Sequence, residues 1–217
     1  MDATVDTGRD REDRRETRIQ AINREIILEA ALDVFSVHGF RGSTLDQIAG
    51  RARMSKPNLL YYFRRKQDIY RGVLERILAD WLAPLEAMDP AGDPIEELRR
   101  YITEKLRMSA ERPAASRLFA NEILAGAPVV SSFLETRLKS LVNEKAKVIR
   151  DWVSAGRLAP VDPYHLIFTI WATTQHYADF DLQIRAILGS QVDRPGFREQ
   201  TAQAVLTIIL NGVRRRD

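Results

Sequence analysis

From Ile19 onward, apolar residues recur at three- and four-residue spacing, and nowhere do they alternate with polar residues long enough to make a strand. Ile22, Ile26, Ile27, Ala30, Ala31, Val34 and Phe35 share one stripe that closes at His38-Gly39, as a helix C-terminus does. Ser43 or Thr44 then offers an N-cap oxygen to a short helix through Leu45, Ile48 and Ala49. Ser55 offers a second, with Pro57 in the first turn, where a missing N–H costs nothing, and Leu59, Leu60, Tyr62 and Phe63 behind it. A long pattern runs from about Gln67 to Met88 through Ile69, Tyr70, Val73, Leu74, Ile77, Leu78, Trp81, Leu82 and Leu85. Pro84 inside it predicts a kink or an end near Trp81. After the breaker Asp89-Pro90-Ala91-Gly92-Asp93-Pro94, helical patterns cover roughly 94–110, 113–124, 128–155, 163–188 and 196–213. The expected fold is all-α, about nine helices with no internal repeat.

Residues 1–18 alternate Arg, Asp, Glu and Thr with almost nothing apolar, which predicts a mobile arm that buries no face. The expected organisation is therefore an arm (1–18), a small helical domain (19–66) and a larger one (67–217). Apolar content of 45% and charged content of 29% argue against both disorder and a membrane protein. No apolar run approaches the roughly 18 to 20 residues of a spanning helix, and the charged start is unlike a signal peptide, so the expected location is cytoplasmic. Zero cysteines exclude disulfides, thiolate zinc sites and cysteine nucleophiles. The net charge of +3 is unevenly spread: Arg41, Arg51, Arg53, Lys56, Arg64, Arg65, Lys66 and Arg71 are opposed in their stretch only by Asp46 and Asp68. Such a segment is the expected footprint of phosphate binding.

Two short helices joined at Ala52-Arg53-Met54, inside that basic stretch, form the pattern of a helix-turn-helix. Leu45, Ile48, Ala49, Met54 and Leu59 would lock the pair, leaving Ser55, Lys56, Asn58 and Tyr61 on the other face. Lysine suits guanine or phosphate oxygens, asparagine can pair bidentately with adenine, and tyrosine brings a hydroxyl to the backbone. Lys66, just before the next helix, could hold a phosphate with that helix's free N–H groups, while Phe63 reads as packing.

The run from Ile26 through Tyr70, with Ala30-Ala-Leu-Asp-Val-Phe, His38-Gly-Phe, Thr44, Ile48-Ala, Ser55, Leu60-Tyr-Tyr-Phe and Lys66, resembles the DNA-binding domain of the TetR family. The resemblance implies a dimer that places one such domain on each half-site of a palindromic double-stranded operator. It also implies that Thr44 reaches phosphate, that Ser55, Lys56, Asn58 and Tyr61 line the recognition helix, and that Tyr62 and Lys66 clamp the backbone. One departure stands out: the family's turn usually carries glycine where this chain has Arg53. If the position needs a positive φ, arginine costs on the order of 1 kcal/mol there, tolerable in return for a phosphate contact.

Beyond that domain, Trp81-Leu-Ala-Pro-Leu, Ala115-Ser-Arg-Leu-Phe, Glu122-Ile-Leu-Ala-Gly-Ala-Pro, Gly156-Arg-Leu-Ala-Pro-Val-Asp-Pro and Trp171-Ala-Thr-Thr-Gln-His-Tyr-Ala-Asp-Phe resemble the pyrimidine-utilisation regulators of that family, the RutR type. That likeness implies a repressor of pyrimidine metabolism genes, released from DNA by uracil or thymine. A ring of that size wants aromatic walls and amide-type groups that both donate and accept. Trp171 and Gln175 lie one helical turn apart on one face, so Gln175 could pair with an imide edge while Trp171 covers the ring. Read without the resemblance, the same spacing also suits core packing. Trp81 could supply the opposite wall, with Thr174, Tyr177, Phe119 and Asn121 as further candidates.

His176 and Asp179 share a helical face but fall short of a closed metal site, and no cofactor is expected. No serine-nucleophile motif, glycine-rich phosphate loop or convergent carboxylate pair suggests an enzyme. The broad apolar faces of the last two helices, with Ile167, Ile170, Ile184, Ile187, Val205, Ile208, Ile209 and Val213, suggest a homodimer formed through them. Three alternatives remain: a TetR-type repressor sensing another small planar metabolite, a helical enzyme acting on a pyrimidine, and a nucleoid protein that binds any DNA sequence.

Overall fold

The computed structural model describes residues 7–215, with side chains from Arg18 onward. Among the described residues there is no strand, and no helix is long and apolar enough to cross a membrane. The chain divides into two compact units, Met1–Glu75 and Arg76–Asp217.

In the first unit, α1 spans Thr7–Gly42 rather than starting near Ile19, with a break at Gly39 (φ 65°, ψ 176°) where the sequence places the C-terminus. Residues 1–6 of the expected arm lie outside the described residues, but from Thr7 its backbone is helical. A helix already nucleated by a packed segment gains one hydrogen bond for each added residue, so it can extend without an apolar face of its own. Helices α2 (Leu45–Arg51) and α3 (Lys56–Tyr62) follow, and the unit ends within α4 (Lys66–Glu86). The boundary lies beyond residue 66 because the first turns of α4 belong to this core. Tyr70 meets Phe35 edge-on at 5.0 Å and Phe40 at 4.9 Å, while Ile69 and Leu74 are fully buried with Ile27, Ile48 and Leu59.

The second unit begins within α4, which runs through Pro84 to Glu86 and so ends about a turn beyond Trp81. Pro84 forfeits the bond that an N–H there would make to the Asp80 carbonyl, but buried Leu82, Leu85 and Met88 hold that turn and the residues after it in the core. Asp93 caps α5 (Pro94–Glu111), accepting from the amides of Ile95 and Glu96 at 3.0 Å each. After α6 (Pro113–Leu124), the pieces α7 (Ser131–Phe133), a π-helical turn (Leu134–Leu138) and α8 (Lys139–Ser154) follow without a gap. The helix expected over 163–188 is two, α9 (Pro163–Asp179) and α10 (Asp181–Leu188). Phe180 leaves helical geometry at φ −115°, ψ 30° and stacks on His176 at 5.0 Å. Because α10 has no buried residue, its apolar spacing carries no trace of that break. A 3-10 turn (Gly189–Asp193) leads to α11 (Phe197–Val213).

Helix α5 packs against α6, α9 and α11 and forms the middle of this unit. Its stripe of Leu98, Tyr101, Ile102 and Leu106 joins Ile149, Trp152, Ile167, Ile170, Val205 and Ile209 in one core. The Trp152 indole donates to the Pro90 carbonyl at 2.9 Å and pins the loop that aims α5. Leu98→Ala should destabilise the protein by about 2–5 kcal/mol, since the site sits mid-core, measured by urea unfolding.

Candidate DNA-reading and effector sites

The α2–α3 turn is shaped by its caps. Thr44 accepts from the Gln47 amide at 3.2 Å, and the Gln47 side chain accepts in return from the Thr44 amide at 2.8 Å. Ser55 accepts from the Asn58 amide at 3.3 Å. Between them Arg53 holds φ at 56°, the left-handed region, and its amide donates to the Gly50 carbonyl at 3.1 Å. Arginine thus occupies a conformation in which its Cβ is disfavoured, in a turn that leaves its side chain exposed.

Of the residues expected to read DNA, Ser55, Lys56, Asn58 and Tyr61 are all exposed on α3 and its cap. Lys56 is paired with Asp46 at 2.9 Å across the two helices, a surface contact that phosphate can displace. Tyr61 is 69% exposed and receives a long hydrogen bond from Gln20 at 3.4 Å. Tyr62 is half-buried: its hydroxyl accepts from Asn23 at 2.7 Å and its carbonyl from Arg24 at 2.9 Å. The Arg24 guanidinium also lies 4.2 Å over the Phe63 ring, and Phe63 is buried. Asn23 and Arg24, which fasten the end of α3 to α1, escaped the sequence reading because both lie off the apolar stripe of α1. Lys66 points inward rather than toward a phosphate. Its ammonium donates to the carbonyls of Phe40 and Ser43 at 2.6 Å each, beside the Phe40 ring. Both carbonyls lie just past the Gly39 break, and that of Phe40 also accepts from the Ser43 hydroxyl at 2.9 Å. Among the described residues Arg41, Arg53, Arg64 and Arg71 have no carboxylate partner, so the basic stretch retains free cations.

The expected effector residues gather around α5. The Trp171 indole donates to the Tyr101 hydroxyl at 2.6 Å. One turn further along α5, Lys105 places its ammonium 4.4 Å from the Trp81 ring centroid, and Trp81 meets Phe119 edge-on at 5.6 Å. Gln175 is half-buried one turn beyond Trp171, and its amide has no hydrogen-bond partner among the described residues. Thr174 is fully buried, its hydroxyl satisfied by the Ile170 carbonyl at 2.8 Å, which leaves it a packing role. Tyr177 is half-buried against His176, whereas Asn121 is exposed on α6 and stands apart from this cluster.

Lys105, Tyr101, Ser116 and Asp179 were absent from the expected effector set. Lys105 is 4% exposed, yet among the described residues it makes no hydrogen bond and no ion pair within 4.0 Å. Burial lowers it to about 8, opposed by the charge of Asp179. Burial likewise raises the Asp179 carboxyl, while the Ser116 hydroxyl donated to it and the charges of Arg117, Lys105 and His176 act the other way. Burial also raises the Tyr101 phenol. By contrast Lys145, also buried, is paired with Glu144 at 3.0 Å. A readable signal existed: Lys105 falls within the stripe Leu98, Tyr101, Ile102, Leu106, Ser109, where a lysine is out of place. Among the described residues no three His, Cys, Asp or Glu side chains converge as a metal site would require.

Two outcomes follow from this geometry. Arg53→Gly should raise stability by up to about 1 kcal/mol by relieving the positive φ, while weakening DNA binding and flattening its salt dependence; urea unfolding and a salt titration of binding check both. For Lys105, below about pH 8 the ammonium is charged folded and unfolded, and its burial penalty is present in full. Between about 8 and 10.5 the unfolded chain keeps a proton that the folded one releases, so this group makes stability rise with pH. Lys105→Met should therefore be more stable than the parent at pH 7, with an advantage that shrinks by at most about 1.4 kcal/mol per pH unit across that window, as read by denaturation at each pH.

Comparison with known proteins identifies the family. Residues 27–73 match the profile described as "Bacterial regulatory proteins, tetR family", and residues 74–216 match "YcdC-like protein, C-terminal region". The chain is 48% identical over 200 residues to the HTH-type transcriptional regulator RutR of Escherichia coli K12, covering 92% of this chain and 94% of that one. The solved structure of the regulator SCO4942 from Streptomyces coelicolor superposes with a TM-score of 0.71 at 27% identity, covering 89% of this chain and 99% of that one. AibR in complex with isovaleryl coenzyme A and operator DNA shares the fold at a TM-score of 0.64 and 18% identity, covering 86% and 97% of the two chains. With a helix-turn-helix in one unit, a helical C-terminal unit, and these matches over nearly its whole length, the chain belongs to the TetR family of bacterial transcriptional regulators, which are not enzymes.

Proposed function

We propose that this regulator represses pyrimidine metabolism genes from the cytoplasm, binding a palindromic operator as a homodimer and leaving it when uracil or thymine enters the second unit. The observation that carries the effector reading is the Gln175 amide. It is half-buried and without a partner, one turn from Trp171 on α9. A side-chain amide matches the alternating acceptors and donors of an imide edge, and an indole beside it provides a flat apolar wall. The 48% identity to RutR supports the same reading. The dimer is supported by α9 and α11, which leave Phe168 and Ile208 exposed at 47% and 74%. Helix α4 is continuous from Lys66 to Trp81 and on to Glu86, so a ligand that displaces Trp81 acts on the same helix that Lys66 ties to the end of α1. A ligand favouring one placement of that helix shifts the population and lowers operator affinity.

Calorimetric titration of the purified protein with uracil and thymine tests this. Micromolar or tighter binding, reduced at least 100-fold by Gln175→Leu, is the expected result. Full affinity in the variant removes Gln175 from the site, and absence of binding by the parent protein moves the effector to another planar metabolite. The assignment as a DNA-binding regulator rests on the family and is unaffected.

A further inference from the structure

The half-buried Asp179 carboxylate and the buried Lys105 ammonium sit on α9 and α5, the helices that carry Trp171 and Tyr101. Each influences the other's charge, yet among the described residues no ion pair within 4.0 Å joins them. One Asp179 oxygen accepts from the fully buried Ser116 hydroxyl, and the other has no hydrogen-bond partner among the described residues. The Lys105 ammonium meets only the face of Trp81. An ammonium that makes no hydrogen bond within the protein keeps its donors for a ligand acceptor. Its three protons offer nothing to an N–H, and a carboxylate offers nothing to a carbonyl, so the two groups demand different partners.

We propose that Lys105 and Asp179 read the polar edge of the effector, Lys105 donating to a ring carbonyl and Asp179 accepting from the adjacent ring N–H. The site therefore selects planar rings in which a carbonyl lies next to an N–H, and it rejects rings in which that nitrogen is alkylated. This rests on the reading of the second unit as a sensor of a small planar ring. It adds a charged pair to the amide of Gln175 and defines the ligand class independently of which metabolite fills it.

The test is a thermal-shift and calorimetric panel on the full chain with uracil, 1,3-dimethyluracil, hydantoin and xanthine, repeated for Lys105→Met and Asp179→Asn. A single cooperative unfolding transition without ligand serves as the control for folding. The expected result is binding of at least one ring that has the carbonyl and N–H pair and at least 100-fold weaker binding of 1,3-dimethyluracil. Lys105→Met should lose at least 100-fold in ligand affinity while keeping a single cooperative unfolding transition, and Asp179→Asn at least tenfold. If hydantoin or xanthine binds in place of uracil and the variants lose it, the charged pair stands and the pyrimidine reading falls. Uracil binding that Lys105→Met leaves intact overturns the charged pair and spares the pyrimidine reading. Equal binding of 1,3-dimethyluracil, or no binding of any ring by the parent protein, also overturns the pair.

Discussion

The Lys105 side chain is 4% exposed and, among the described residues, has no ion pair to meet its charge. The electrostatic help is indirect. The face of Trp81 turns its negative quadrupole toward the cation at 4.4 Å, and Asp179 contributes from beyond ion-pair distance. Ser116 holds that carboxylate, and the Trp171 indole occupies the Tyr101 hydroxyl one turn away on α5. These groups come from α4, α6 and α9, all meeting the buried polar face of one helix. Burial of Leu98, Ile102 and their neighbours supplies the free energy that keeps α5, and Lys105 with it, inside the core.

The first unit solves a different problem, which is to present a short helix firmly. Seven residues of α3 make too few hydrogen bonds to be stable alone, so the element depends on its ends. Ser55 caps its start, while Asn23 and Arg24 hold Tyr62 at its finish. What remains exposed between these fastenings is Lys56, Asn58 and Tyr61, side chains able to meet phosphates and base edges. Lys66 belongs with the fastenings, because its ammonium joins the carbonyls of Phe40 and Ser43 just past the Gly39 break.

Helix boundaries set by caps and prolines were legible in the sequence. Pro113 and Leu124 bound α6 where the pattern puts them, and Thr44 and Ser55 are the caps expected. The positive φ at Arg53 was legible too, because a family habit of glycine has a steric cause. The break at Phe180 was not, since it follows from no proline or glycine and leads into a helix that buries no residue. The candidate effector site was half legible. Aromatic walls and a one-turn spacing can be read along a single helix, so Trp81, Trp171 and Gln175 emerged. Lys105, Ser116 and Asp179 lie on three different helices, and only packing brings their charges and hydroxyls together. Hydrophobic periodicity ranks such residues as exceptions, and their meaning depends on neighbours far away in the chain.

A buried, under-satisfied cation is a poor choice for stability and a good one for sensing. An apolar residue at position 105 would remove the desolvation penalty, so a function other than folding is the natural reason for a lysine there. With the charged pair as reader, the carbonyl that takes a Lys105 proton competes with the face of Trp81 for the same ammonium. Ligand binding then loosens a contact that holds α4 as it creates one of its own. A ligand can shift an equilibrium only by its differential affinity for the two states, and a contact exchanged at one cation provides such a difference directly. The free energy withheld from folding at Lys105 is in this way available to be spent on moving the helix that carries Trp81.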